Sequence, residues 1–122
     1  MNKKSEIVFS VELDENNIPD KIHWNATDRP DEGLSQTNAI SLSIWDHFQK
    51  NTMRIDLWTK QMTVDEMKRF YIDSIGGLAQ SLLNATGDEY MANEMEGLCN
   101  RLVKHVEEEM KKMSEKPGPD KK

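Results

Sequence analysis

Three histidines, one cysteine and one acidic turn are the residues of this chain whose types could bind a metal or attack a substrate. His23, His47 and His105 are spread over a strand pattern, a loop and a distant helix pattern, and none has the His-x-x-x-His spacing that sets two ligands on one helical face. That distribution does not converge on a metal. Cys99 is the sole cysteine, which excludes an intramolecular disulfide and a thiolate cluster within one chain. It lies beside the apolar stripe of the last helix pattern, the common position of a small buried thiol. His105 stands almost two turns further along, too far to serve as its base. The acidic stretch "ELDENNIPD", residues 12–20, lacks the Gly and the terminal Glu of a calcium loop and reads as a solvated turn. Gly76-Gly77 falls inside a helix pattern rather than between a strand and a helix start, so it is no phosphate loop. Asn25-Ala26-Thr27 and Asn84-Ala85-Thr86 match the glycosylation tripeptide, which carries no meaning without a secretory signal. No catalytic constellation, cofactor site or metal site follows from these residues.

Composition narrows the classes further. A chain of 122 residues is one domain's worth, and its formal net charge of −6 argues against nucleic acid as the main ligand, because phosphate binding needs a surplus of Lys and Arg on some face. "MNKKSEIVFSVEL" alternates polar and apolar residues and so lacks the continuous apolar core of a secretory signal. No other run approaches the roughly 18 apolar residues of a membrane span. A reducing cytoplasm fits a single cysteine best.

The elements that must carry any function read from the spacing of apolar residues. Residues 6–13 put Ile7, Phe9, Val11 and Leu13 on one side of a half-buried strand and leave Val8 as the one apolar residue on the other. The Asp-, Asn- and Pro-rich residues 14–20 form a turn, and residues 21–25 return as a second strand presenting Ile22 and Trp24. Residues 25–38 are polar, hold Pro30 and Gly33, and read as a long loop with room for one helical turn near its end. Residues 39–50 fit a helix through Ile40, Ile44 and Phe48, or a strand through Ile40, Leu42 and Ile44 against Ser41, Ser43 and Trp45. The strict alternation and the polar "DHFQKN" favour a strand, residues 39–46, turning into another at residues 52–60.

From Thr63 the period changes. "TVDE" is a capping box, and Met67, Tyr71, Ile75, Leu78 and Leu82 follow at helical spacing over residues 63–84. Gly76 and Gly77 sit inside this helix, as tolerated weakness or as a close approach to the sheet or a kink. Gly87 is a C-cap and Asp88 an N-cap for a second helix, residues 88–114, with Met95, Leu98, Leu102, Val106, Met110 and Met113 on one stripe. Residues 116–122 read as a disordered tail. The expectation is a single α+β domain over residues 1–115: a four-stranded antiparallel sheet of two hairpins, covered on one face by a C-terminal helical hairpin.

If Ile40, Leu42, Ile44, Met53, Ile55 and Leu57 face those helices, alternation sends Trp45 and Trp58 to the open face with Arg54 and Asp56. Two readings stay open. The rings either pair with each other to shield the sheet, or they anchor a recognition surface in which Val8, Trp45, Arg54, Asp56 and Trp58 meet a partner.

"SEIVFSVELDENNIPDKIHWNATD", "IWDHFQKNTMRIDLWTKQMTVDEMKRFY" and "NATGDEYMANEMEGLCNRLVKHVEEE" together resemble the gliding motility protein GldC family of Bacteroidota, over nearly the whole chain up to about residue 113. "NTMRIDLWTKQMTVDEM" is its most specific piece. The resemblance implies a small, soluble, cytoplasmic, non-enzymatic accessory protein linked to the gliding apparatus, and it brings no catalytic or cofactor residues. The expected function is therefore protein–protein contact, with a protein of that apparatus or by self-association, without nucleic acid or membrane insertion. The alternative is a small-molecule-binding or enzymatic domain, which would require a closed pocket with convergent polar groups.

Overall fold

Alternating apolar residues dominate the chain to residue 60 and helical spacing dominates it afterwards. The computed structural model describes residues 3–28 and 35–115 and divides at the same place. Its two compact units are Met1–Thr63 and Val64–Lys122. The first holds β1 (Ile7–Leu13), β2 (Pro19–Ala26), β3 (Ser35–Thr37), β4 (Ala39–Trp45) and β5 (Thr52–Trp58); the second holds α1 (Val64–Thr86) and α2 (Glu89–Glu115). The α+β class is as expected, and residues 39–45 are strand rather than helix.

The sheet differs from expectation: instead of one four-stranded sheet there are two antiparallel sheets, β1-β2-β3 and β4-β5. The division falls at Asn38. Before it, Ser35, Gln36 and Thr37 pair with Trp24, His23 and Ile22 of β2; after it, all seven residues of β4 pair with β5. Residues 35–37 have no apolar alternation, so their composition reads as loop, and they become a strand because β2 offers an unpaired edge. At its other end the expected connection starts inside β2, which runs on through Ala26, and residues 29–34, with Pro30 and Gly33, lie outside the described residues, as does the tail at residues 116–122.

Thr59 holds the corner. It is fully buried, its backbone N–H donates to the Asn38 carbonyl at 2.9 Å, and its hydroxyl donates to Asn38 Oδ1 at 3.1 Å. The next residue extends the tie, since the Lys60 N–H donates to the Pro19 carbonyl at 3.2 Å and its ammonium lies 3.0 Å from Asp14 and 3.8 Å from Asp20. Gln61 Nε2 donates to Asp20 as well, at 3.2 Å. Thr59 thus ties the end of β5 to the Asn38 bend, and Lys60 and Gln61 tie it to the β1–β2 turn and the start of β2.

Both hairpin turns use one device. Asp14 accepts from the backbone N–H groups of Asn16 and Ile18, and Asn17 takes φ 64°. In the other turn Asp46 Oδ2 accepts from the Gln49 N–H, and Lys50 takes φ 58°. An aspartate satisfies N–H groups that the turn would leave unpaired, and one residue in the left-handed region reverses the chain. Inward burial is thinner than alternation suggests. Ile22 is fully buried, yet Ile7, Phe9 and Leu13 are 67%, 38% and 53% exposed.

In the second unit a two-residue connection joins antiparallel helices. Gly87, at φ 72°, places its N–H 2.8 Å from the Leu83 carbonyl, and Asp88 Oδ1 accepts the Met91 N–H at 3.0 Å. These are the C-cap and N-cap expected there. Ala79 and Ala92 are buried, Lys68 of α1 meets Glu109 of α2 at 2.7 Å, and Cys99 Sγ points at the Ile72 carbonyl at 3.7 Å. A Cβ on Gly76 would lie 3.9 Å from that sulfur, an ordinary contact, and one on Gly77 would meet nothing within 4 Å. The tolerated-weakness reading of the glycine pair therefore holds in its simplest form at Gly77.

Two outcomes follow for stability in urea. Thr59→Val keeps the shape but leaves Asn38 Oδ1 without its donor, and should cost about 1–3 kcal/mol of unfolding free energy. Gly77→Ala should stabilise by roughly 0.4–1 kcal/mol and Gly87→Ala should destabilise by about 1 kcal/mol or more, because only the second forces a Cβ into the left-handed region. Equal shifts for the two alanines would contradict this account.

Candidate interaction surface

The ribbon of β4 and β5 sorts its residues by pairing. Ile40–Leu57, Leu42–Ile55 and Ile44–Met53 oppose each other on one face; Ala39–Trp58, Ser41–Asp56, Ser43–Arg54 and Trp45–Thr52 oppose each other on the other. The alternation in the sequence predicts this division residue by residue.

Trp45 and Trp58 share a face but do not touch. They stand at opposite ends of the ladder, six residues apart, which at the rise of an antiparallel strand is about 20 Å. A mutually shielding pair is thereby excluded. Both rings are open, Trp45 at 62% and Trp58 at 49%.

A fixed polar centre fills the space between them. Arg54 Nη1 donates to Ser43 Oγ at 2.7 Å and its Nη2 donates to Ser41 Oγ. Nη2 and Nε also donate to the two oxygens of Asp56, at 2.7 and 3.3 Å, and Ser41 Oγ donates to Asp56 Oδ1 at 2.9 Å. The guanidinium is held in a bidentate fork flat against the strands. The Arg54 hydrogen bond, and then that of Ser41, hold the Asp56 carboxyl below the ordinary carboxylate range. Exposed ion pairs add little to stability, so the main effect of this network is to orient its members.

Val8 is the one expected surface residue placed elsewhere. It lies in the three-stranded sheet opposite Asn25 and is 52% exposed. Phe48, which the sequence reading used only in the helical alternative, is an exposed aromatic that the expected surface left out. It sits at the tip of the β4–β5 turn, 86% exposed, its ring 5.0 Å from that of His47 in an edge-on contact. The signal was a single aromatic inside a turn capped by Asp46, masked by the polar residues around it.

An open depression beside Trp58 is lined by Ile18, Pro19, Asp56, Leu57, Trp58 and Lys60. Its two charged groups are already engaged, Asp56 by Arg54 and Lys60 by Asp14 and Asp20. Among the described residues no group of three His, Cys, Asp or Glu side chains could hold a metal ion, and no helix is long and apolar enough to cross a membrane.

Removing the guanidinium should release Asp56. In Arg54→Met the Asp56 carboxyl, followed by NMR, should titrate at higher pH than in the parent chain, toward the ordinary carboxylate value. An unchanged midpoint would mean that the fork does not form in solution.

No curated protein and no solved structure matches the chain. The model of the gliding motility-associated GldC-like proteins matches residues 19–108, which include β2, the whole β4–β5 ribbon, α1 and most of α2. The strand, turn and helix-start order of residues 51–67, on which the resemblance was strongest, lies entirely inside that span, and the chain belongs to the GldC-like family of gliding motility-associated proteins.

Proposed function

We propose that this protein is a non-enzymatic, cytoplasmic accessory component of the gliding machinery that acts through protein–protein contacts made by the Trp45–Trp58 face. One observation carries the reading. Two exposed indole rings flank a polar centre already locked by its own hydrogen bonds. Large aromatics and arginine are the residues that most often anchor interfaces, and a rim or centre fixed beforehand loses little entropy on binding. Membership of the GldC-like family supplies the process. The small-molecule alternative draws on the depression beside Trp58, whose engaged charges leave mostly apolar lining for a ligand.

In cells of the native host, replacement of the chain by the combined Trp45→Ser and Trp58→Ser variant should impair gliding while the protein accumulates at its normal level. The same variant, used as bait, should lose proteins that the parent chain retains. Normal gliding together with an unchanged set of retained proteins would sink the proposal.

A further inference from the structure

The polar face of the β4–β5 ribbon has a residue order that complements itself. From one end to the other its cross-strand pairs read Trp58 with Ala39, Asp56 with Ser41, Arg54 with Ser43, and Thr52 with Trp45. Each large ring has a small cross-strand neighbour, and the two charges stand one step either side of the middle. The face is neutral through its own Arg54–Asp56 pair, so it selects no strongly charged partner.

We propose that this face pairs with the same face of a second copy of the chain, the two ribbons running antiparallel about a two-fold axis that lies in the contact plane across the strands. The inference rests on the reading of this face as an interaction surface and names its partner. That rotation sets Arg54 over the partner's Asp56 and Asp56 over the partner's Arg54. It also lays Trp45 over the partner's Ala39, beside the partner's Trp58, and Trp58 over the partner's Thr52, beside the partner's Trp45. Rings fill the spaces left by small residues at both ends, and opposite charges meet in the middle. A two-fold axis along the strands instead sets Arg54 over the partner's Ser43 and Asp56 over the partner's Ser41, so that each charge has the like charge of the partner, one strand aside, as its nearest charged neighbour across the contact, which repulsion disfavours. Closed two-fold pairing also limits the assembly to a dimer.

Size sets the strength. Seven paired residues give a ribbon about 23 Å long and two strands wide, well under the roughly 800 Å² per partner of a standard stable interface. The dimer should therefore be weak, with a dissociation constant of about 10 to several hundred μM.

Sedimentation equilibrium of the full chain from about 10 μM to about 1 mM tests this range. The parent chain should show a monomer–dimer equilibrium, and Trp45→Ser or Trp58→Ser should weaken it about tenfold or more. Arg54→Asp alone and Asp56→Arg alone should each lose the dimer by about tenfold or more, because like charges then face each other across the axis. An equimolar mixture of those two variants should recover a one-to-one heterodimer, since every crossing is again between opposite charges. A general loss of folding cannot produce that recovery. If circular dichroism shows either charge variant to have lost strand structure, the two tryptophan variants decide. A parent chain monomeric throughout, a dimer indifferent to all four substitutions, or a mixture no stronger than its folded components would overturn the proposal. A monomeric parent chain whose tryptophan variant still loses retained host proteins would overturn self-pairing alone and leave the contact function standing.

Discussion

The two-point tie between Asn38 and Thr59 is the constraint on which the strand-bearing unit depends. A strand running from residue 35 to residue 45 without interruption would keep β2 and β5 on opposite edges of one sheet. The turn at Asn38 instead ends the pairing with β2 and opens the pairing with β5. A bend inside the protein exposes backbone groups that need partners, and Thr59 supplies one backbone and one side-chain bond from a fully buried position. Lys60 and Gln61 then fasten the same segment to the β1–β2 turn. The β4–β5 ribbon begins at that corner, and pairing with alternation then sets which of its side chains, the two tryptophans included, share a face.

Charge in this molecule is used mainly to fix geometry. The backbone N–H of Ile18, followed by the Lys60 ammonium, holds Asp14 below the ordinary carboxylate range; Arg54 does so for Asp56 and Lys68 for Glu109. Each lowered value means the folded chain favours the carboxylate. The linked stability is present at neutral pH and fades as the medium is acidified through those lowered values. Lys60 is raised, chiefly by the Asp14 hydrogen bond, so its linked stability holds below the ordinary lysine range and is lost in strong alkali. All four groups act in the same direction across neutral pH. The polar centre between Trp45 and Trp58 therefore keeps its charge and shape there.

The proposed contact function accords with a surface whose central charges already satisfy each other. Arg54 and Asp56 have committed their hydrogen-bonding groups to each other and to Ser41 and Ser43. General acid–base work needs a titratable group poised near the working pH, and Asp56 is shifted the opposite way. Two exposed rings at the ends of a neutral middle are what the proposed interface draws on.

Local pattern determined a large part of this protein. Alternation in residues 40–45 and 52–58 set which side chains share a ribbon face, and with the polar residues between them it favoured a strand over a helix, a choice that the pairing of β4 with β5 then decided. Gly87 and Asp88 marked the break between the helices because only glycine enters the left-handed region without cost and an aspartate can accept a free helix N–H. The GldC-like resemblance was likewise readable from the wording of residues 51–67. Tertiary structure decided the rest. Ser35, Gln36 and Thr37 carry no strand signal and became β3 only because β2 lay beside them. The bend at Asn38 depended on Thr59, a residue 21 positions away, and register alone revealed that Trp45 and Trp58 stand at opposite ends of one face. Periodicity reports which way a side chain points from its own backbone, whereas pairing register and strand bends depend on hydrogen bonds between residues far apart in the chain, which no local window contains.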